Sequence, residues 1–134
     1  MNLYTFNLRT HEKDEMVEIT SIIADLIKQY AVEDGMAVIY CPHTTAGIAI
    51  NENADPDVRH DVLMRLSDVF PWKQPGDRHA EGNTAAHLKA MLVGTSQTVL
   101  ISDGKLHLGQ WQGIYFCEFD GPRDRTYTVK LFRD

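Results

Sequence analysis

The stretch His43-Thr-Thr-Ala-Gly-Ile-Ala-Ile-Asn-Glu-Asn-Ala-Asp55 most constrains how this chain can fold. Its centre is small and apolar, and a short run of that kind between turn residues reads as a buried strand. Its ends are polar. An imidazole and two hydroxyls stand at the entry, and two amides and two carboxylates at the exit. Polar groups at the ends of a buried strand need partners, because leaving them unsatisfied costs free energy. Either a structural network pins this strand, or the strand delivers groups into a site. The rest of the chain has to supply the partners.

Before this stretch, residues 2–9 alternate as a first strand, and His11 to Asp14 forms a polar turn. Met16 to Ile19 extends as a short strand. From Ile19 the period changes: Ile19, Ile22, Ile23, Leu26, Ile27 and Tyr30 line one helix face. Asp34-Gly35 is the expected end of that helix, glycine being suited to a left-handed C-terminal position. Met36 to Cys41 is a continuous apolar run, read as a buried strand broken by Pro42. Thr44 to Asn51 resumes it, with Gly47 letting another backbone or a ligand come close.

Asp55-Pro56 then starts a second helix, a carboxylate at the cap and proline at the first helical position. Val58, Val62, Leu66, Val69 and Phe70 follow at helical spacing, and Pro71 stops it. Trp72 to His79 is a loop. A third helix opens near Asn83 and ends at Gly94. Strands are expected over Thr95 to Ile101, Lys105 to Leu108, Ile114 to Phe119 and Thr126 to Phe132, with a hairpin turn at Asp103-Gly104. Three helices and seven or eight strands, not strictly alternating, define an α+β fold. Consecutive strands are expected to pair mostly as hairpins in a largely antiparallel sheet, within a single domain over residues 1–134.

A net charge of −6 argues against a nucleic-acid binder that works by general electrostatics. No apolar run approaches the length of a membrane span. The N-terminal alternation is a strand pattern and not a signal peptide, so a cytoplasmic setting is expected. Cys41 and Cys117 each sit inside an apolar run and read as buried free thiols.

Three stretches carry candidate chemistry. In the first, His43, Thr44 and Thr45 stand at a break between strands, and Asn51 and Glu52 at the exit; Asp55 has its own explanation as a helix cap. In the second, His79, Gly82, Asn83 and His87 cluster about a helix N-terminus, which favours anions. Two histidines there offer a metal as an alternative ligand, although their spacing matches no tight zinc signature. The alternative is that Asn83 caps the helix and His87 packs beside Leu88 and Met91. In the third, strand alternation puts Ile114, Phe116, Glu118 and Asp120 on one face, and Tyr115, Cys117 and Phe119 on the other. Glu118 needs a cation or donor, and Arg123, Arg125 or a histidine can supply it. Trp111 is read either as a stacking platform for a planar ring or as a plug for the core.

Together these stretches resemble the YjbQ family. The resemblance rests on His43-Thr-Thr-Ala-Gly47, on Asn51-Glu-Asn-Ala-Asp-Pro-Asp-Val58 and on His79-x-x-Gly-Asn-x-x-x-His87. It continues through Leu108-Gly-x-Trp-Gln-Gly-Ile114 and Glu118-Phe-Asp-Gly-Pro-Arg123. Gln110 departs from it, standing where the family usually has a small hydroxyl residue. The resemblance implies one α+β domain assembled as a homotrimer, and a weak or secondary thiamine-phosphate synthase activity. That activity joins a pyrimidine diphosphate to a thiazole phosphate with release of pyrophosphate.

On that reading His43, His87 and Glu118 are catalytic. Thr44, Thr45, Asn51, Glu52, His79, Gly82, Asn83, Trp111, Gln112, Asp120 and Arg123 bind a small phosphorylated substrate. His43, His79 and His87 hold a divalent ion, Mg²⁺ or Zn²⁺. Two other classes stand beside it: a binding module for a small phosphorylated or anionic metabolite, and a metal-assisted hydrolase. Nucleic acid and membrane are not expected partners.

Overall fold

The computed structural model describes residues 3–134; Asn2, expected in the first strand, lies outside them. The elements in chain order are β1 (Leu3–Arg9), β2 (Glu15–Glu18), α1 (Thr20–Gln29), β3 (Gly35–Tyr40), β4 (Ala46–Glu52) and α2 (Pro56–Val69). They continue with α3 (Thr84–Val93), β5 (Ser96–Ser102), β6 (Lys105–Leu106), β7 (Gln112–Glu118) and β8 (Asp124–Arg133). This is the α+β fold with three helices and antiparallel pairing that the sequence implies.

The strands form two sheets, β1-β8-β3-β5-β6 and β2-β7-β4. Consecutive hairpins were expected, and the pairing corrects this. β1 pairs with β8, β3 with both β8 and β5, and β7 with both β2 and β4. Among the consecutive strands only β5 and β6 close as a hairpin, across Asp103 and Gly104, both at positive φ. Long-range pairing follows from which apolar faces meet, which local periodicity does not encode.

The main core lies between the two sheets. Ala37, Ile39, Val99, Tyr127, Val129 and Leu131 from the larger sheet meet Ile48, Ile114 and Phe116 from the smaller one. The apolar stripe of α1, with Ile23, Leu26 and Ile27, closes the same core. The helix ends earlier than Asp34-Gly35. Its last residue is Gln29, Tyr30 caps it, and Ala31 turns at positive φ. Gly35 instead opens β3 against Phe132, whose carbonyl oxygen would lie 1.9 Å from an added Cβ.

The outer face of the smaller sheet carries a second core. Tyr115, Cys117 and Phe119 pack there against Ala86 and Ala90 of α3, with Leu63 and Leu66 of α2 beside them. Strand β7 thus divides its side chains between two cores, as its alternation implies, and six of its seven residues are buried. Gly47 is where backbone comes close. The Gly94 carbonyl would lie 2.6 Å from a Cβ there, and that same oxygen accepts from the Ile48 amide. Asp55 caps α2 as expected, accepting from the Asp57 amide at 2.9 Å.

Candidate functional site

The end of β7, the start of β4 and the start of β8 meet at one end of the sandwich, since Ala46 faces Glu118 across the ladder. The deepest group there is Glu118, fully buried, and it bridges the sheets through Arg125, itself 5% exposed. Arg125 Nε donates to Glu118 Oε1 at 2.8 Å, and its Nη2 forms a short bond to Oε2. Thr10 Oγ1 donates to Oε1 at 2.7 Å and the Asp120 amide to Oε2 at 3.0 Å. Arg125 Nη2 also donates to Thr45 Oγ1 at 2.9 Å. Burial alone would raise the Glu118 pKa. The hydrogen bonds from Arg125, Asp120 and Thr10 outweigh it and hold the carboxyl below the usual carboxylate range.

Glu118 was expected to be catalytic and Thr45 to bind substrate. Both side chains are instead committed inside the protein, where they position the Asp120 turn and the entry to β4. Of the three partners expected for Glu118, Arg125 is the one that pairs with it, and Thr10 was not among the expected residues. Arg125 had a legible signal: it shares strand parity with Tyr127, Val129 and Leu131, the buried face of β8.

Around this buried base lies a more open cluster. Asp120, its side chain 15% exposed, accepts from Asn83 Nδ2 at 2.8 Å and from Arg123 Nη2 at 3.0 Å. Arg123 Nε also donates to the Asp120 carbonyl at 2.8 Å. Gly121 lets this turn press on the 10–13 segment, since a Cβ would meet the Glu12 carbonyl oxygen at 2.1 Å. Asn83 occupies the N-cap of α3 but makes no side-chain cap bond, and its Oδ1 is buried without a partner among the described residues. Gly82, at φ +70°, faces open space. The His79 and His87 rings meet edge to face at 5.5 Å. His87 therefore packs on His79, while Leu88 and Met91 are 41% and 80% exposed.

His43 lies at the same end but is already engaged. Its Nε2 accepts from the Thr126 amide at 3.0 Å, so the ring is neutral with its proton on Nδ1. Burial, then the charge of Arg125, holds its pKa below the usual histidine range. Thr44 is exposed. Among the described residues no three histidine, cysteine or carboxylate side chains are grouped to hold a metal ion. The expected His43, His79 and His87 metal set is therefore not met among the described residues: His79 and His87 pair, and Nε2 of His43 is taken by the Thr126 amide.

The remaining expected residues lie elsewhere. Glu52 faces Gln112 at the opposite end of the β4–β7 ladder from the Ala46–Glu118 pair. Six residues along a strand are roughly 20 Å. Asn51, Glu52, Trp111 and Gln112 therefore form a second locus, and the chain does not gather all three polar stretches into one site. There, Gln112 Oε1 accepts from the Gly109 amide at 2.8 Å, and the Tyr115 hydroxyl donates to the Glu52 carbonyl at 2.9 Å. Trp111 is 57% exposed, so it is no core plug.

A fold of this kind recurs in known proteins. The family model described as UPF0047 protein YjbQ-like matches residues 4–134, and the chain belongs to that family. It is 55% identical over 129 residues to the UPF0047 protein YugU of Bacillus subtilis, covering 96% of this chain and 98% of that one. A UPF0047 protein of Methanocaldococcus jannaschii is 53% identical over 98% of this chain and 95% of its own. The crystal structure of a family protein from Clostridium acetobutylicum superposes with a TM-score of 0.94 at 53% identity, over 96% of this chain and 99% of that one. A hypothetical protein from Aeropyrum pernix does so with a TM-score of 0.94 at 30% identity, over the whole of both chains.

These relatives carry family names or are called hypothetical. None is named a thiamine-phosphate synthase or any other catalyst, and this overturns the expectation of that transferase. No helix among the described residues is long and apolar enough to cross a membrane.

Proposed function

We propose that the chain binds a small phosphorylated anion at the end of the sandwich where α3 begins. The observation that carries this is Asn83, which stands at the N-cap yet gives its amide to Asp120. The first-turn amides of α3 thus lack the side-chain acceptor a cap supplies, and such a helix start favours a negative charge. Arg123 and the His79–His87 pair add donors beside it, and Gly82 leaves the approach open. Asp120 orients Arg123 and Asn83, and Glu118 holds the Asp120 turn through its amide.

Calorimetric titration with inorganic phosphate and with pyrophosphate tests this. Binding is expected, weakened at least about tenfold by Arg123→Ala and by the double change His79→Ala with His87→Ala. Failure of both anions to bind at about 10 mM overturns the reading. We also propose that copies of the chain self-associate as a trimer, which the exposed Met91 and Leu92 of α3 support. Two buried free thiols, Cys41 and Cys117, support a reducing, cytoplasmic setting.

A further inference from the structure

A cavity of about 110 Å³ lies away from the α3 N-terminus, between α2 and the outer face of the smaller sheet. Ala49, Cys117 and Phe119 form its floor, and Val58, Val62 and Leu66 its roof. Burial pushes the Cys117 thiol up to about 12, so the floor stays neutral. The roof is lightly seated: none of the residues of α2 is fully buried. An apolar cavity of roughly 150 Å³ takes up benzene, so this one suits a branched or linear body of about four carbons.

Its mouth is polar, with charges of both signs. Arg59 is half-buried, and among the described residues it makes no hydrogen bond or ion pair. Its guanidinium carbon lies 5.6 Å from the centroid of the Tyr115 ring. Glu52, which also lines the cavity, accepts from the Ala54 amide through Oε2 at 2.9 Å, and its Oε1 makes no hydrogen bond among the described residues. The third polar lining residue, Asn51, is exposed, and its Oδ1 accepts from the Glu52 amide at 2.8 Å. A bare carboxylic acid would meet repulsion from Glu52, and a bare amine repulsion from Arg59. A zwitterion satisfies both.

We propose that this cavity is a binding site for a free apolar α-amino acid of leucine, isoleucine or methionine size. The side chain enters under α2, the carboxylate lies on Arg59 and the ammonium on Glu52. The guanidinium supplies a charge-assisted pair to the carboxylate, and the side chain is withdrawn from water. This site is independent of the anion site.

The test is titration of ¹⁵N-labelled protein with leucine, 4-methylpentanoate (leucine without its ammonium) and 3-methylbutylamine (leucine without its carboxylate), followed by NMR. Leucine is expected to perturb amides of α2 and β4 saturably, and each analogue to bind at least about tenfold more weakly. Arg59→Gln and Ala49→Leu should each lose leucine binding, the first by removing the carboxylate partner and the second by filling the cavity. Ala49→Leu alters a packed face, so Arg59→Gln, on an exposed helix, decides the matter if the former misfolds. His79→Ala and Arg123→Ala should leave leucine binding unchanged. The proposal is overturned by no saturable shift at about 10 mM leucine, by either analogue binding as well as leucine, or by full binding in Arg59→Gln.

Discussion

Glu118, read as catalytic in sequence, has its side chain tied into the fold. A carboxylate on the apolar face of a strand has to be paired, and both its oxygens are filled by Arg125, Thr10 and the Asp120 amide. Removing one member of a buried pair strands the other charge, at about 3–5 kcal/mol. Glu118→Gln is therefore expected to lower the unfolding free energy by about that amount at neutral pH, read from urea midpoints. The pH dependence has a definite sign. The folded carboxyl titrates below its unfolded value, so its contribution is fully present above the unfolded carboxylate range and is lost as pH falls through the folded pKa. Wild type should lose stability on acidification through that window, and Glu118→Gln should show a shallower decline. An equal slope in both proteins would remove Glu118 from the account. His43, whose pKa is also lowered, acts in the same direction at higher pH.

At the scale of elements, the helices were legible because each carries its own signals. Asp55-Pro56 starts α2, Gly94 ends α3, and the stripe Ile23, Leu26 and Ile27 builds α1. What holds α2 and α3 together was not legible. Lys89 is 2% exposed, and its Nζ reaches Asp14 Oδ1 at 3.0 Å and Ser67 Oγ at 2.9 Å. A lysine on a helix reads as a solvated residue, and only the tertiary fold places Asp14 and Ser67 beside it. Lys89→Ala is expected to destabilise by about 2–3 kcal/mol, because Asp14 loses its cation and Ser67 its donor. Thermal melts of Lys89→Ala and Lys89→Met separate the charge from the stem packed near Phe119. Equal stability of Lys89→Ala and wild type would contradict the anchoring role.

For the whole molecule, the sequence reading recovered the fold class and the two faces of β7, and missed the division into two sheets. It also gathered into one site residues that stand at opposite ends of a ladder. The reason is the same in both cases. Alternation tells which side chains share a face but not where along the sheet a face ends, and Glu52 and Glu118 are alike in that respect. The apolar residues left exposed on α3 bear on assembly. Sedimentation equilibrium is expected to give three times the 15.2 kDa chain mass. Charge substitution at Met91 and Leu92 should shift it toward the monomer. A monomeric wild type at micromolar concentration would remove the trimer.

The pairing of β1 with β8 has a consequence for how the chain is made. On a ribosome the first strand emerges long before its partner, and Tyr4 cannot meet Val129 until nearly all the intervening residues have been added. The smaller sheet waits as well, since among the described residues β2 and β4 share β7 as their ladder partner. Until then their edges are open to other chains, so nascent copies depend on being shielded by what surrounds them in the cell.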